Sequence, residues 1–497
     1  MSTFKSASGV QLDSFLYRNF RGMDSSRDVA ALENGEAQHL IAINNGFADW
    51  RGVINIDRGA SRHVLANGTV ENIRWFGRDN AVWVEKNAAG KSFVSDRGQR
   101  KDEAYPADAI VSTTVFDGEV IFATQSGPIY HFNGFTWKKN ESNSKPDPAY
   151  ITTISGRLIC AGMTGSATAI WLSRLENPMV MPPDEEADST QVDKAIYIDI
   201  RNVVGSAETI RGLGRFESNR LAVFTEDRTL VYNISANFEN IKLDSSIQIG
   251  VGTISHNTIA EAGSDLIFCS RNGVHTIKRS KENGITVFPV PMSSKIEEVY
   301  RGLVKSVRNP EQINAFFDQD ENQYHVFFPL TDKLSRRLTL SLNPVDEENN
   351  TWSTSDFLNA RCASVLGGRV ILGTAGAVWE LKQYEDISMK SPAMTITTPI
   401  LWHQSINTVK DSHSFILQAS GKGIINVEAF NEVGRQLSNI QYQIEGDVRD
   451  FKFPENPMRL EYERKFEHRY KGVQFRFSVE GDGLIKIIGF AVNTRKK

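Results

Sequence analysis

Residues 318–322 (DQDEN) come nearest in this sequence to a spacing that could hold a metal. Carboxylates and an amide at alternate positions could converge on one calcium ion, as they do at the start of an EF-hand loop. The pattern fails where coordination needs it. Gln323 stands at the sixth position instead of the glycine that makes the sharp turn, and Pro329 at the twelfth instead of a bidentate glutamate. A polar hairpin turn between 315–317 and 324–328 is the simpler reading. Acids cluster again at Asp184, Glu185 and Glu186 and at Asp346, Glu347 and Glu348. Paired carboxylates are what a glycosidase uses, but both groups lie in loop-forming runs, where acids are ordinarily solvated.

The other reactive residue types are scattered. The nine histidines (His39, His63, His131, His256, His275, His325, His403, His413 and His468) form neither HExxH nor HxH, and a zinc site needs three or four converging ligands. Cys160, Cys269 and Cys362 are far apart and each sits in an apolar run, which predicts small core residues rather than disulfides or metal ligands. No GxSxG elbow, GxGxxG fingerprint or Walker loop occurs. Gly250 and Gly252 are a lone pair in an expected turn. Arg336 and Arg337 fall within a strand-like run. Arg459, Arg464, Lys465, Arg469 and Lys471 alternate with Glu461, Glu463 and Glu467. Such mixed charge predicts a solvated face or a salt-bridge network between subunits, not a phosphate groove. The sequence nominates no catalytic, cofactor-binding or metal-binding residue, and the expected role is non-enzymatic.

The elements that would have to position any site are strands. A run rich in Val, Ile, Leu, Phe and Tyr, a small turn with Gly, Asn or Asp, and a second such run recur along the chain, which is the signature of a β-hairpin. The copies span 74–85 (RWFGRDNAVWVE), 118–132, 157–172 (RLICAGMTGSATAIWL), 220–234, 265–277, 323–342 and 369–381. Their starts lie roughly 40 to 65 residues apart, which fits four-stranded propeller blades carrying insertions. One hairpin cannot bury both faces; blades stacked in a closed ring can. The repeat signatures of common cellular propellers are missing: there is no Gly-His…Trp-Asp pattern, one Gly-Gly pair (Gly367, Gly368), and only a fragment of a sialidase box at 95–98 (SDRG).

The expected fold is therefore all-β: a β-propeller of six or seven irregular blades with a C-terminal β-sandwich-like domain. Residues 1–65 read as an arm or an incomplete first blade, 66–384 as the propeller, and 395–497 as the sandwich-like domain. Loops are expected at 176–195 (ENPMVMPPDEEADSTQVDKA) and 331–350. Ile296, Val299, Leu303 and Val307 at helical spacing predict one amphipathic helix within 293–312.

With 497 residues, 40% of them hydrophobic, the chain can bury a large core. A net charge of −4 does not favour tight nucleic-acid binding. The opening residues, MSTFKSASGVQLDSF, have no apolar stretch of the signal-peptide kind, and no apolar run approaches the ~18 residues of a membrane span. Neither secretion by a cleavable signal nor membrane insertion is expected.

The order of segments resembles the tail nozzle, or packaged-DNA stabilisation, proteins of short-tailed phages. The opening of that family is similar to 32–44 (LENGEAQHLIAIN), followed by Trp50-Arg51-Gly52 and Asp57-Arg58-Gly59. Its central hairpins resemble 220–231, 250–258 and 265–277, and its terminal β domain resembles 400–415 and 470–492. The segments 176–195 and 331–350 depart from the family pattern as insertions. The resemblance implies a structural virion protein assembled in the host cytoplasm, a homohexamer stacked beneath the portal and the head-to-tail adaptor ring. Double-stranded DNA would pass through its lumen without sequence-specific binding. A needle or plug would close the far end, and tail fibres or spikes would surround it. A slightly acidic subunit suits a conduit along which DNA must slide, because a lysine- and arginine-rich lumen would hold the duplex. The alternatives are a propeller-type carbohydrate-active enzyme, with Asp184, Glu185 and Glu186 as its test residues, and a protein-interaction propeller.

Overall fold

The computed structural model describes residues 3–495 apart from 6–10, 26–38, 50, 52, 77–79, 89–91, 97–98, 106–110, 125–126, 141–145, 183–190, 206–207, 264, 281–283, 288–290, 345–349, 383–392, 404–405, 447–460 and 482–484. Strands dominate it. Arg157–Met163 shows why: all seven residues are buried, as a strand covered on both faces requires. Tight turns join the strands where the sequence supplies them. Asp117-Gly118 and Gly367-Gly368 all have positive φ, which two-residue hairpin turns of matching twist need and glycine supplies without strain.

Four antiparallel four-stranded sheets follow one another: Val111–Phe116 to Trp137–Lys139, Tyr150–Ile154 to Ile196–Asp199, Gly212–Phe216 to Lys242–Ile249, and Ala260–Ala262 to Gly284–Val287. A fifth self-contained sheet has seven strands, because the 18-residue strand Gly59–Phe76 serves two units. Its first part, 59–65, is the outer strand beside Ala375–Lys382, and its last part, 69–76, starts the next unit by pairing with Asn80–Lys86. One more unit, from Asn314–Asp318 to Thr351–Leu358, completes the circle and continues into the terminal domain's sheet. Counted by innermost strands the ring has seven positions, each touching the next and the last touching the first. The chain closes its own circle by pairing an early strand with a late one, so the ring shuts on itself and its blades present edges only through their short outermost strands.

The terminal domain is built from both ends of the chain. Gln11–Arg18 pairs along its length with Lys486–Arg495, and Ala42–Asn44 pairs with Met394–Thr397. The 22-residue strand Lys410–Asn431 pairs with Lys486–Arg495 through its first half and with Gln436–Gly446 and Val473–Gly481 through its second. Phe415, Phe466, Phe475, Phe477 and Phe490 fill the core between them, with Phe415 and Phe490 stacked at 5.5 Å. Burying each such ring contributes about 1.5–3 kcal/mol.

Three expectations change. The described part of 1–65 is neither a free arm nor a blade: Gln11–Arg18, Ala42–Asn44, Gly46–Ala48 and Ile54–Ile56 are strands of the terminal domain, and 59–65 closes the ring, which thus begins before residue 66. The span 331–350 is not an inserted loop, since Leu334–Ser341 is a third blade strand with Leu338 and Leu340 fully buried. Within 176–195, the segment up to 182 packs back on the ring through buried Met181, while 183–190, including Asp184, Glu185 and Glu186, lies outside the described residues. The helix forms as Glu297–Ser306, preceded by a 3₁₀ turn that buries Ile296. Its most buried residue is Tyr300, whose hydroxyl donates to the Ser270 carbonyl at 2.6 Å.

Candidate functional site: an axial channel and a buried joint

The innermost strands carry small and polar residues. Their ring encloses a channel of about 540 Å³ to which every innermost strand contributes. Arg74, on the first blade, donates from Nε to Thr113 Oγ1 and from Nη2 to the Thr113 carbonyl, both at 2.9 Å. Thr113 in turn donates to Asn72 at 2.9 Å, so the guanidinium is held in one pose across two blades. Arg215 and Glu261 form a two-pronged pair at 3.2 and 2.9 Å across the next blade boundary but two. Glu261 is the one carboxylate among the described channel residues.

His256 binds four blades together at the channel wall. Its Nδ1 accepts from the Leu213 amide at 3.4 Å, which leaves Nε2 protonated and facing Ser112 Oγ at 3.3 Å. Ser112 Oγ also accepts the Ile151 amide at 3.1 Å, and the Tyr150 ring lies 5.0 Å away. Burial, and then the positive charge of Arg74, lower the His256 pKa to about 4, so the imidazole is neutral.

A second polar cluster lies where the terminal domain meets the ring. Asp57 pairs with Arg337 and with the Ser355 hydroxyl, and Arg58 pairs with Asp318. All four charged side chains are buried. The Arg337 guanidinium also sits 4.2 Å above the Phe357 ring, which shelters its remaining face. His325 is stacked on Phe316 at 4.8 Å, and burial with the charges of Arg337 and Arg58 drives its pKa well below the usual imidazole range. Asn45 completes the joint: its amide donates to the Thr354 carbonyl at 2.7 Å and its side chain to the Ala393 carbonyl at 3.1 Å.

The stretch 318–322 is a hairpin turn, with Asp318 accepting the Asp320 amide at 3.1 Å, but Asp318 is a buried ion-pair partner instead of a solvated turn residue. Arg336 and Arg337 separate: Arg336 meets Asp356 at 3.0 Å near the surface, and Arg337 enters the joint. Lys465 and Arg495 pair with Glu467 at 3.0 and 3.3 Å, and Arg469 with Asp411 at 2.8 Å, on an exposed face. Arg459 and 345–349 lie outside the described residues. The cysteines are buried free thiols, and burial pushes the Cys269 pKa to about 11. Among the described residues, no three His, Cys, Asp or Glu side chains are placed to hold a metal ion. No described helix is long and apolar enough to cross a membrane. Sequence reading missed Arg74, Arg215, His256 and Glu261 as a group, because innermost strands such as Gly212–Phe216, which carries Arg215, were not among the expected hairpins.

The class these features define is an all-β propeller carried on a β domain formed by both chain ends. No protein-family model and no curated protein sequence matches the chain. Solved propeller structures do resemble it in fold. YCF48 from Cyanidioschyzon merolae is 13% identical with a TM-score of 0.38, covering 65% of this chain and 98% of that one. BamB from Moraxella catarrhalis is 10% identical with a TM-score of 0.36, covering 65% and 99%. Raptor from Chaetomium thermophilum is 10% identical with a TM-score of 0.41 over 66% of this chain, which spans 29% of Raptor.

Proposed function

We propose that this chain is a structural virion protein, a ring-forming tail nozzle subunit of a short-tailed phage, acting beneath the portal and adaptor and without catalysis. The observation that carries the reading is the joint. Asp57-Arg58-Gly59, one of the segments that resembles the nozzle family's opening, is where the terminal domain turns into the ring, and its two charges are locked to Arg337 and Asp318. A rigid two-part subunit of this kind suits a mechanical role, in which one part makes ring contacts and the other is held at a fixed angle. In this reading the DNA conduit is formed between copies of the subunit, and the channel inside each propeller is a separate feature. Needle or plug, fibres or spikes, and the adaptor ring are the partners this role requires. The competing enzymatic reading needs two acids facing one sugar. In the described channel the single carboxylate, Glu261, is already taken by Arg215.

Negative-stain imaging of the purified protein, alone and mixed with its adaptor ring, tests the proposal. Closed rings, most simply six-fold, are expected. Monomers in both preparations overturn it.

A further inference from the structure

We propose that the axial channel is a binding site for a carboxylate-bearing ligand, received by Arg74. Two of the three nitrogens of this guanidinium are spent on Thr113, and Nη1 has no protein acceptor among the described residues while the side chain lines the channel. Because Thr113 fixes Nε and Nη2, the direction of the remaining N–H groups is set before any ligand arrives, which lowers the ordering cost of binding. The surrounding charge favours an anion. The described channel residues include two arginines against one carboxylate, Glu261, which pairs with Arg215 and whose charge also reaches Arg74. His256 adds no charge, since both of its ring nitrogens are used by Leu213 and Ser112. A local excess of one positive charge thus sits inside a chain whose net charge is −4.

Size and lining set the class further. A channel of about 540 Å³ falls in the range of small-molecule sites, about 300–1,000 Å³. Thr152 offers a hydroxyl to a polar ligand, while Val115 and Phe316 offer apolar surface to a short carbon chain. A carboxylate can accept from the free nitrogen of Arg74 and still lay a carbon chain on the apolar part of the lining, which inorganic phosphate cannot do. The ligand is a small organic acid or the acidic side chain of a short extended segment, and the shared chemistry is the carboxylate. The site does not depend on the nozzle reading, and would stand if that reading failed.

Isothermal titration of the intact protein at low salt tests it, with succinate, its diamide, inorganic phosphate and a capped aspartate tetrapeptide as probes. Saturable binding of succinate is expected if the source is a free acid, and of the peptide alone if it is protein-borne; the diamide should not bind in either case. Arg74→Gln should weaken the binding by about tenfold or more, the worth of one charge-assisted hydrogen bond. Glu261→Gln, which releases Arg215 and removes the competing negative charge, should strengthen it several-fold. That gain keeps the test decisive if Arg74→Gln loosens the ring through Thr113. Equal binding of the diamide or of phosphate, no binding of either carboxylate probe, or no gain in Glu261→Gln overturns the proposal.

Discussion

At the joint, the Asp57 and Arg337 side chains keep 3% and 1% of their surface exposed; in the channel, Arg215 and Glu261 keep 49% and 48%. The chemistry of the two pairs is the same, and their surroundings give it different uses. A buried pair cannot be broken without stranding a charge in a poor solvent, so it fixes the geometry of the parts it joins. A half-exposed pair is screened and weak, so its members can exchange partners when a ligand arrives. The joint is therefore read as architecture and the channel as a place where something binds.

Acidification should show the largest effect, because both regions rest on neutral imidazoles. His256 is held at about 4 and His403, in the terminal domain, at about 3, while His325 lies well below the usual range, each by burial first. The folded pKa values are lowered, so below about 6.5 the unfolded chain binds protons that the folded chain does not. Stability is complete above that pH and falls as pH drops toward 4. By pH 4.5 His256 and His403 together should have removed about 5 kcal/mol, and His325 adds to the loss in the same direction. Urea midpoints measured from pH 7.5 to 4.5 would show it, and a flat profile would mean that these histidines are solvated.

Arg337→Ala comes next. Removing it strands Asp57 and should cost about 3–5 kcal/mol in urea unfolding. Arg215→Ala should cost under about 1 kcal/mol in the same assay, since its partner stays in contact with water. Losses of similar size in the two variants would erase the distinction drawn between joint and channel.

How far the sequence revealed this can be argued strand by strand. Six of the seven hairpins read from it are second and third blade strands, such as Arg157–Met163 with Ser166–Leu172. Those strands are covered on both faces, so their apolar residues are dense enough to see. The innermost strands were harder to see. Tyr150–Ile154 and Gly212–Phe216 face a wet channel and carry Thr, Gly and Arg, so they look like turns or linkers. The joint's charged residues each stood out locally, but their pairing left no trace. Arg337 lies 280 positions from Asp57 and Arg58 lies 260 from Asp318, and no window of sequence connects them. The terminal domain was visible in its C-terminal half alone, because Gln11–Arg18 reads as a stray strand until its partner near residue 490 is known.

The pairing of early strands with late ones has a bearing on how the molecule is made. During synthesis, residues 59–65 emerge long before Ala375–Lys382, and Gln11–Arg18 waits for Lys486–Arg495. Neither module can shut until nearly the whole polypeptide has left the ribosome, and the first-made edges stay exposed meanwhile. Folding should thus be slow and dependent on intact length, and a chain stopped short of residue 486 should leave two sticky borders where the finished protein has none.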